Sequence, residues 1–449
     1  MSQQYPEEQR RAPHPSDRRP APPRRRRRRK KTKWEIFKER YLPGLVILAG
    51  IALVVVLIIL LISAIAGGGD DETIPIQTPA GQQEQTESDA AQVLEPAALL
   101  AAQYDYDGAI ALLSSFVGQD SRVQAALDRY NGEKAALVTW DDNTKIPHIS
   151  FQNLIVDAAR AFDGDSAAED YASYNLTIDE FTAALTEMYN NGFVLVSMTD
   201  IADVNEEGKY ASKPIVLPAG KKPLVMSLLP ADYPLSRAGD GFAMSLVVGT
   251  DGAITAEYID SNATRLNGTY DFVSILEDFI RQYPGFSYRG ARAVIGIDSS
   301  PELFGYDMDK ADELEALKKV VEALRTTGYE FASFTYDGVR YGDSTTEVVT
   351  ADVQEWEDAY TELLGDVQIL IYAGGSDLLE YEGEKYNTLY GAGYRYFIGM
   401  DNDTEAWGQI TDNYVRQTRR TINGIRITKD KNKIADLFDA SAIISEDRP

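Results

Sequence analysis

The chain has 449 residues, with 44 Lys/Arg against 70 Asp/Glu, a formal net charge of −26 and no cysteine. Disulfides, thiol nucleophiles and cysteine-ligated metals are excluded, and the acidic excess argues against nucleic acid as a partner. The charge is unevenly divided: residues 1–40 carry 15 Lys/Arg and five acids, leaving 29 Lys/Arg against 65 acids in the rest.

Residues 1–43 read as a disordered basic arm, rich in Pro and Arg and basic at every position from 24 to 31. Residues 45–66 then contain no charge, so a transmembrane helix is predicted over 44–66, the span needing roughly 20 apolar residues. The run is too long and begins too late for a cleavable signal peptide. Its basic flank places the N-terminus in the cytoplasm, with the arm against anionic lipid heads. The expected protein is thus single-pass in the cell membrane, with an extracellular C-terminal part. Residues 67–94, opening Gly67-Gly68-Gly69-Asp70-Asp71-Glu72, read as a flexible acidic linker.

Apolar residues recur at helical spacing over 95–131, among them Ala98, Ala102, Ala109, Leu113, Val123, Leu127 and Tyr130. A tetratricopeptide-like hairpin is predicted. One such pair builds no solenoid, so it is expected to be a collar packed on the following domain.

From residue 135 onward strand-like and helix-like runs alternate, the pattern of an α/β domain with a mostly parallel sheet. The first strand is predicted over 136–140. A helix follows from Thr177, with Glu180 completing a capping box, then an apolar strand over 193–198. Buried strands are predicted over 223–229, 291–298, 329–335, 367–372 and 394–401, and a helix with Leu314, Leu317, Val321 and Leu324 on one stripe ends at Gly328. Several strands run into polar or glycine-rich turns: Asp298-Ser299-Ser300, Tyr336-Asp337-Gly338, Ala373-Gly374-Gly375 and Asp401-Asn402-Asp403. In parallel barrels ligands sit at the carboxyl ends of the strands. The candidate ligand groove is accordingly Asp232, Tyr233, Asp298, Tyr336, Asp337, Tyr372 and Asp401.

The order of several phrases resembles the polysaccharide deacetylase family, in a divergent branch found on bacterial cell surfaces. They include Ile146-Pro147-His148-Ile149, Ala161-Phe162-Asp163-Gly164-Asp165, Lys221-Lys222-Pro223-Leu224-Val225-Met226-Ser227, Tyr283-Pro284-Gly285-Phe286-Ser287-Tyr288-Arg289-Gly290-Ala291, Gly393-Tyr394-Arg395-Tyr396-Phe397 and Leu437-Phe438-Asp439. The resemblance runs over 135–444 and implies an irregular (β/α)7 barrel over 135–449. It also implies N-deacetylation of sugars by a metal-bound water, with two aspartates after the first barrel strand and a His-x-x-x-His pair after the third. Those positions fall on Leu229, Pro230, Phe334 and Gly338, none of which carries a metal-binding side chain. Asp232 lies close enough to replace one aspartate by a slip. The histidines have no substitute, because the chain holds only His14, in the arm, and His148.

No catalytic residue, metal or cofactor is therefore assigned. The resemblance places His148 in a peripheral segment before the barrel, in a structural or ligand-contact role. The expected protein is a deacetylase-like pseudoenzyme that binds cell-wall glycan or an envelope protein. The alternative is a carbohydrate hydrolase working with carboxylates alone, on Asp298, Asp337 and Asp401.

Overall fold

A computed structural model describes residues 80–118, 120–401 and 405–449. The predicted basic arm, the transmembrane helix and the first part of the linker lie outside the described residues. Among the described residues no helix is long and apolar enough to cross a membrane.

The first described element is α1 (Ala80–Ala102), so the segment read as linker is helical from Ala80 onward. Ala90, Ala97 and Ala101 recur at helical spacing and are buried, which ties this stretch to the helices that follow. Tyr104, at φ +65°, breaks the chain into α2 (Tyr106–Ser114), which is followed by α3 (Ser121–Ala135). Asp105 and Asp120 cap the two helices by accepting backbone N–H groups. The expected pair is thus a group of three.

Seven strands form the barrel: β1 (His148–Phe151), β2 (Lys222–Leu228), β3 (Val294–Ile297), β4 (Glu330–Ser333), β5 (Ile369–Ile371), β6 (Tyr396–Met400) and β7 (Val415–Thr421). Each pairs in parallel with the next in chain order, and β7 pairs with β1 to close the ring. This is the (β/α)7 arrangement. The run at 136–140 is not its first strand. Val138–Thr139 forms a two-residue antiparallel pair with Val216–Leu217, outside the barrel and exposed on both residues. Phe193–Leu195 also stays outside the ring, pairing with the start of β2.

The period-2 alternation of strands sorts the barrel side chains. Ile149, Phe151, Leu224, Met226, Leu228, Ile295 and Phe397 join a core with the helices α4 (Ile178–Asn190), α5 (Phe272–Gln282), α6 (Ala311–Thr327) and α7 (Thr346–Leu364). The alternate residues Val225, Val294, Ala332, Ile369, Tyr396, Ile398 and Val415 join a second core that runs into α1–α3. The helical group therefore packs at the amino-terminal end of the strands. Tyr104 Oη donates to the Gly285 carbonyl (2.8 Å) and Arg289 N–H to that of Gln103 (2.8 Å). The opposite, carboxyl end is left clear of this layer.

His148 is not peripheral. It opens β1 with 1% exposure and is held inside the barrel between Gln417 Oε1 (3.0 Å from Nδ1) and Ser227 Oγ (2.8 Å from Nε2). Burial, and then the nearby Arg419 cation, push its pKa down to about 3. The imidazole is neutral, joining the three strands at the closing seam.

The C-terminus is tied down by charge. Thr177 and Glu180 make the expected capping box at the start of α4. Glu180, fully buried, also accepts Arg448 Nε–H (2.6 Å) and Nη2–H (2.5 Å). Arg448→Ala would strand a buried carboxylate, and a loss of about 3–5 kcal/mol in unfolding free energy by urea titration is expected.

Candidate functional site

The carboxyl end of the barrel is built on loops that α7 props from outside. Trp356 Nε1–H donates to the Ile297 carbonyl (2.8 Å), and Tyr360 Oη–H donates to that of Asp298 (2.5 Å). Asp352, 3% exposed, accepts the backbone N–H groups of Tyr336 (2.8 Å) and Asp337 (2.9 Å) and the hydroxyl of Tyr341 (2.6 Å). These bonds hold the turn after β4 while Thr335 sits at φ +62°, a costly conformation for a β-branched residue.

The four positions implied for the family's metal chemistry do not fit a metal. Leu229 and Phe334 converge on Gly296: a Cβ placed there would meet Leu229 Cδ2 at 2.3 Å and Phe334 Cβ at 3.3 Å. The interior at this level is filled by hydrocarbon. Pro230 follows in a cis peptide, and Gly338 lies exposed on the turn beyond Phe334. Among the described residues no group of three His, Cys, Asp or Glu is placed to hold a metal ion.

Two of the predicted carboxylates do come together. Burial pushes Asp298 up to about 6, with the Asp232 charge adding to it and the Ser300 N–H (3.1 Å) opposing. Asp232 is itself raised by burial, which Arg237 partly offsets, and among the described residues its Oδ1 has no partner. Asn153 Nδ2–H donates to the Asp232 carbonyl. The buried unpaired atoms also include Asn153 Oδ1, Thr335 Oγ1 and Arg419 Nε. Asn153, Asp232, Thr335 and Arg419, four of the six residues with such an atom among the described residues, stand at or just beyond the carboxyl halves of β1, β2, β4 and β7, the other two being Ser333 and Arg416. Buried polar atoms without partners are rare in native folds, so their clustering at one end of the barrel marks it as the candidate site.

The other predicted groove residues scatter. Tyr233 is in the core, with its hydroxyl on Asp271 (2.6 Å), and Tyr372 is fully buried, 2.9 Å from the Tyr381 hydroxyl. Neither faces a groove, because both fall on the outer, helix-facing side of the barrel wall. Tyr336 is partly buried beside Tyr360, and Asp337 is exposed on the same turn. Asp401 is half-buried, its N–H bonded to the Arg419 carbonyl (3.1 Å). Asn402 and Asp403 lie outside the described residues.

A second recess of about 400 Å³ lies beside the mouth, lined by Arg340, Asp343, Asp377, Met400, Trp407 and Arg416 among others. Arg416 pairs with Asp377 (2.7 Å) and lies 4.3 Å from the Tyr381 ring and 5.1 Å from that of Trp407. Sequence reasoning missed this recess and Arg419. The available signal was three arginines inside one strand, Arg416, Arg419 and Arg420, where alternation puts the middle one on the face opposite the other two.

Among solved structures the chain is similar to the Streptococcus pyogenes deacetylase PplD in complex with acetate, at 13% identity over 64% of this chain and 94% of that one, with a TM-score of 0.34. It is also similar to BC0361, a polysaccharide deacetylase from Bacillus cereus, at 13% identity over 69% and 70% of the two chains, with a TM-score of 0.36. No family model matches the chain, and no curated protein matches it. The closed parallel ring by itself defines the (β/α)7 class.

Asp298 holds its proton more tightly folded than unfolded, so the stability it contributes is full in acid and is lost as pH rises through about 6. The advantage of Asp298→Asn over the wild type in urea unfolding is therefore expected to grow by about 2 kcal/mol between about pH 4 and about pH 7. Asp232→Asn is expected to lower the Asp298 titration midpoint in carboxyl 13C NMR.

Proposed function

We propose that this chain is a membrane-anchored, extracytoplasmic, deacetylase-like barrel that has given up the metal-dependent reaction and binds cell-wall glycan at the carboxyl end of its strands. The observation that carries the reading is the packing of Leu229 and Phe334 on Gly296 at the positions implied for metal chemistry. Zinc needs nitrogen, sulfur or carboxylate ligands, and the one histidine of residues 80–449 is locked neutral in the strand seam. The basic arm and the uncharged run 45–66 support the anchored placement. The orphaned polar atoms at the mouth support binding there.

A second reading, hydrolysis by carboxylates, is favoured by one observation: Asp298 keeps a proton up to about pH 6 beside Asp232. Of the three carboxylates expected for that reaction, Asp337 is exposed on a separate turn, and Asp298 is the one with an acid's environment.

The purified full chain is expected to hold no stoichiometric zinc and to release no acetate from N-acetylated glycan, with or without added zinc. It is expected to bind purified wall glycan above an inert acidic control protein. Chelator-sensitive acetate release would overturn the proposal. Glycan cleavage that survives a chelator and is lost in Asp298→Asn would favour the second reading. Retention by another envelope protein without retention by glycan would change the ligand class.

A further inference from the structure

Three arginines punctuate β7, and among the described residues one of them has no counter-charge. Arg416 pairs with Asp377 (2.7 Å) and Arg420 with Asp436 (2.7 Å). Arg419 is 4% exposed, and among the described residues its one hydrogen-bond acceptor is Thr421 Oγ1, 3.3 Å from Nη1. Its Nε–H meets no acceptor among the described residues. A guanidinium cannot shed its charge as a buried lysine does, and an unpaired ion in an apolar interior is costly. A strand that keeps one there calls for an anion.

The surroundings suit that anion. Arg419 is on the inward face of β7, and its guanidinium lies 5.9 Å from the ring of Phe334, one residue past the end of β4. Thr421 is farther along β7 in the same direction, so the charge is aimed at the carboxyl end of the barrel. Thr421 Oγ1 accepts from Arg419 and is 3.2 Å from Ser150 Oγ on β1. If Thr421 donates to Ser150, the Ser150 proton is left as a donor beside the guanidinium.

We infer that Arg419, with Ser150 and the Phe334 wall, is the receptor for a carboxylate that enters at the mouth of the barrel. The inference deepens the reading of this end as a ligand site and rests on it. A planar monoanion matches the guanidinium fork. A dianion such as phosphate would leave uncompensated negative charge in a mouth that already holds Asp232 and Asp298. The carboxylate has two possible sources, a free small acid or the acid group of a sugar.

The test uses the purified full chain near neutral pH and constant ionic strength, followed by thermal unfolding and calorimetric titration. The probes are acetate, glucuronate, inorganic phosphate and chloride. Carboxylates are expected to raise the unfolding temperature saturably where chloride does not, as any ligand of the native state must. Tighter binding of glucuronate than of acetate supports the sugar acid; equal binding supports the free acid. Arg419→Met is expected to weaken carboxylate binding by about tenfold or more, and to unfold at a higher temperature than the wild type without carboxylate. Ser150→Ala is expected to weaken binding about threefold or more, and it carries the test if the arginine variant does not fold. No difference between carboxylate and chloride, or a response retained in both variants, overturns the inference; so does tighter binding of phosphate. Neutral wall glycan that binds while carboxylates do not would overturn this inference and leave the proposed function standing. Carboxylate binding that depends on Arg419 without glycan binding would do the reverse.

Discussion

Every feature of the mouth depends on ring closure, and the ring closes through a strand of four residues. β1 is buried at each position and must satisfy β7 on one side and β2 on the other. His148 adds side-chain bonds in both directions, to Gln417 and Ser227. Only a neutral imidazole can donate at one ring nitrogen and accept at the other, and the low pKa imposed by burial and by Arg419 keeps it so. The cation and the imidazole are register partners across the seam. The same local electrostatics that makes Arg419 a candidate receptor thus keeps its neighbour in the form the seam requires.

Above the seam, α7 governs the shape of the mouth. Trp356, Tyr360 and Asp352 project from it to the ends of β3 and β4, so the turns that carry Asp298 and Tyr336 are fixed from outside the ring. The backbone amides of Tyr336 and Asp337 are spent on Asp352, which gives the turn after β4 a structural role where the family's histidine pair is implied. Support from a helix leaves the inward side free for side chains that need no partner in the protein. Thr335 Oγ1 and Arg419 Nε are of that kind.

Electrically, the mouth differs from a metal centre in a simple way. A metal site gathers acids and imidazoles around a cation from solution. Here the cation is covalent, supplied by Arg419, and Leu229 and Phe334 fill the space where ligands are implied. Two carboxyls remain at the rim, and burial holds one of them protonated up to about pH 6. In the proposed reading, the mouth recognises a ligand's polar groups and does not polarise a bond through a Lewis acid.

What the chain's residues determined alone was local. The capping box at Thr177 and Glu180, the stripe ending at Gly328 and five of the seven barrel strands follow from patterns of 3.6 and 2 residues that need no knowledge of partners. That Leu229, Pro230, Phe334 and Gly338 carry no metal-binding side chain is read from the residues alone, since folding cannot change a side chain's identity. Residues 136–140 and 146–151 are both strand-like, and only the available neighbours decided between them: β7 and β2 accept His148–Phe151, while Val138–Thr139 finds one short antiparallel partner. Tyr233 and Tyr372 were drawn to the mouth by their place after strands, but the parity of β5 turned Tyr372 to the helix-packed side, and the loop after β2 carried Tyr233 there, onto Asp271. Arg419 was hidden among three arginines until closure of the ring set one of them inside it. Burial and pairing are properties of the closed barrel, because each depends on residues far away in the chain.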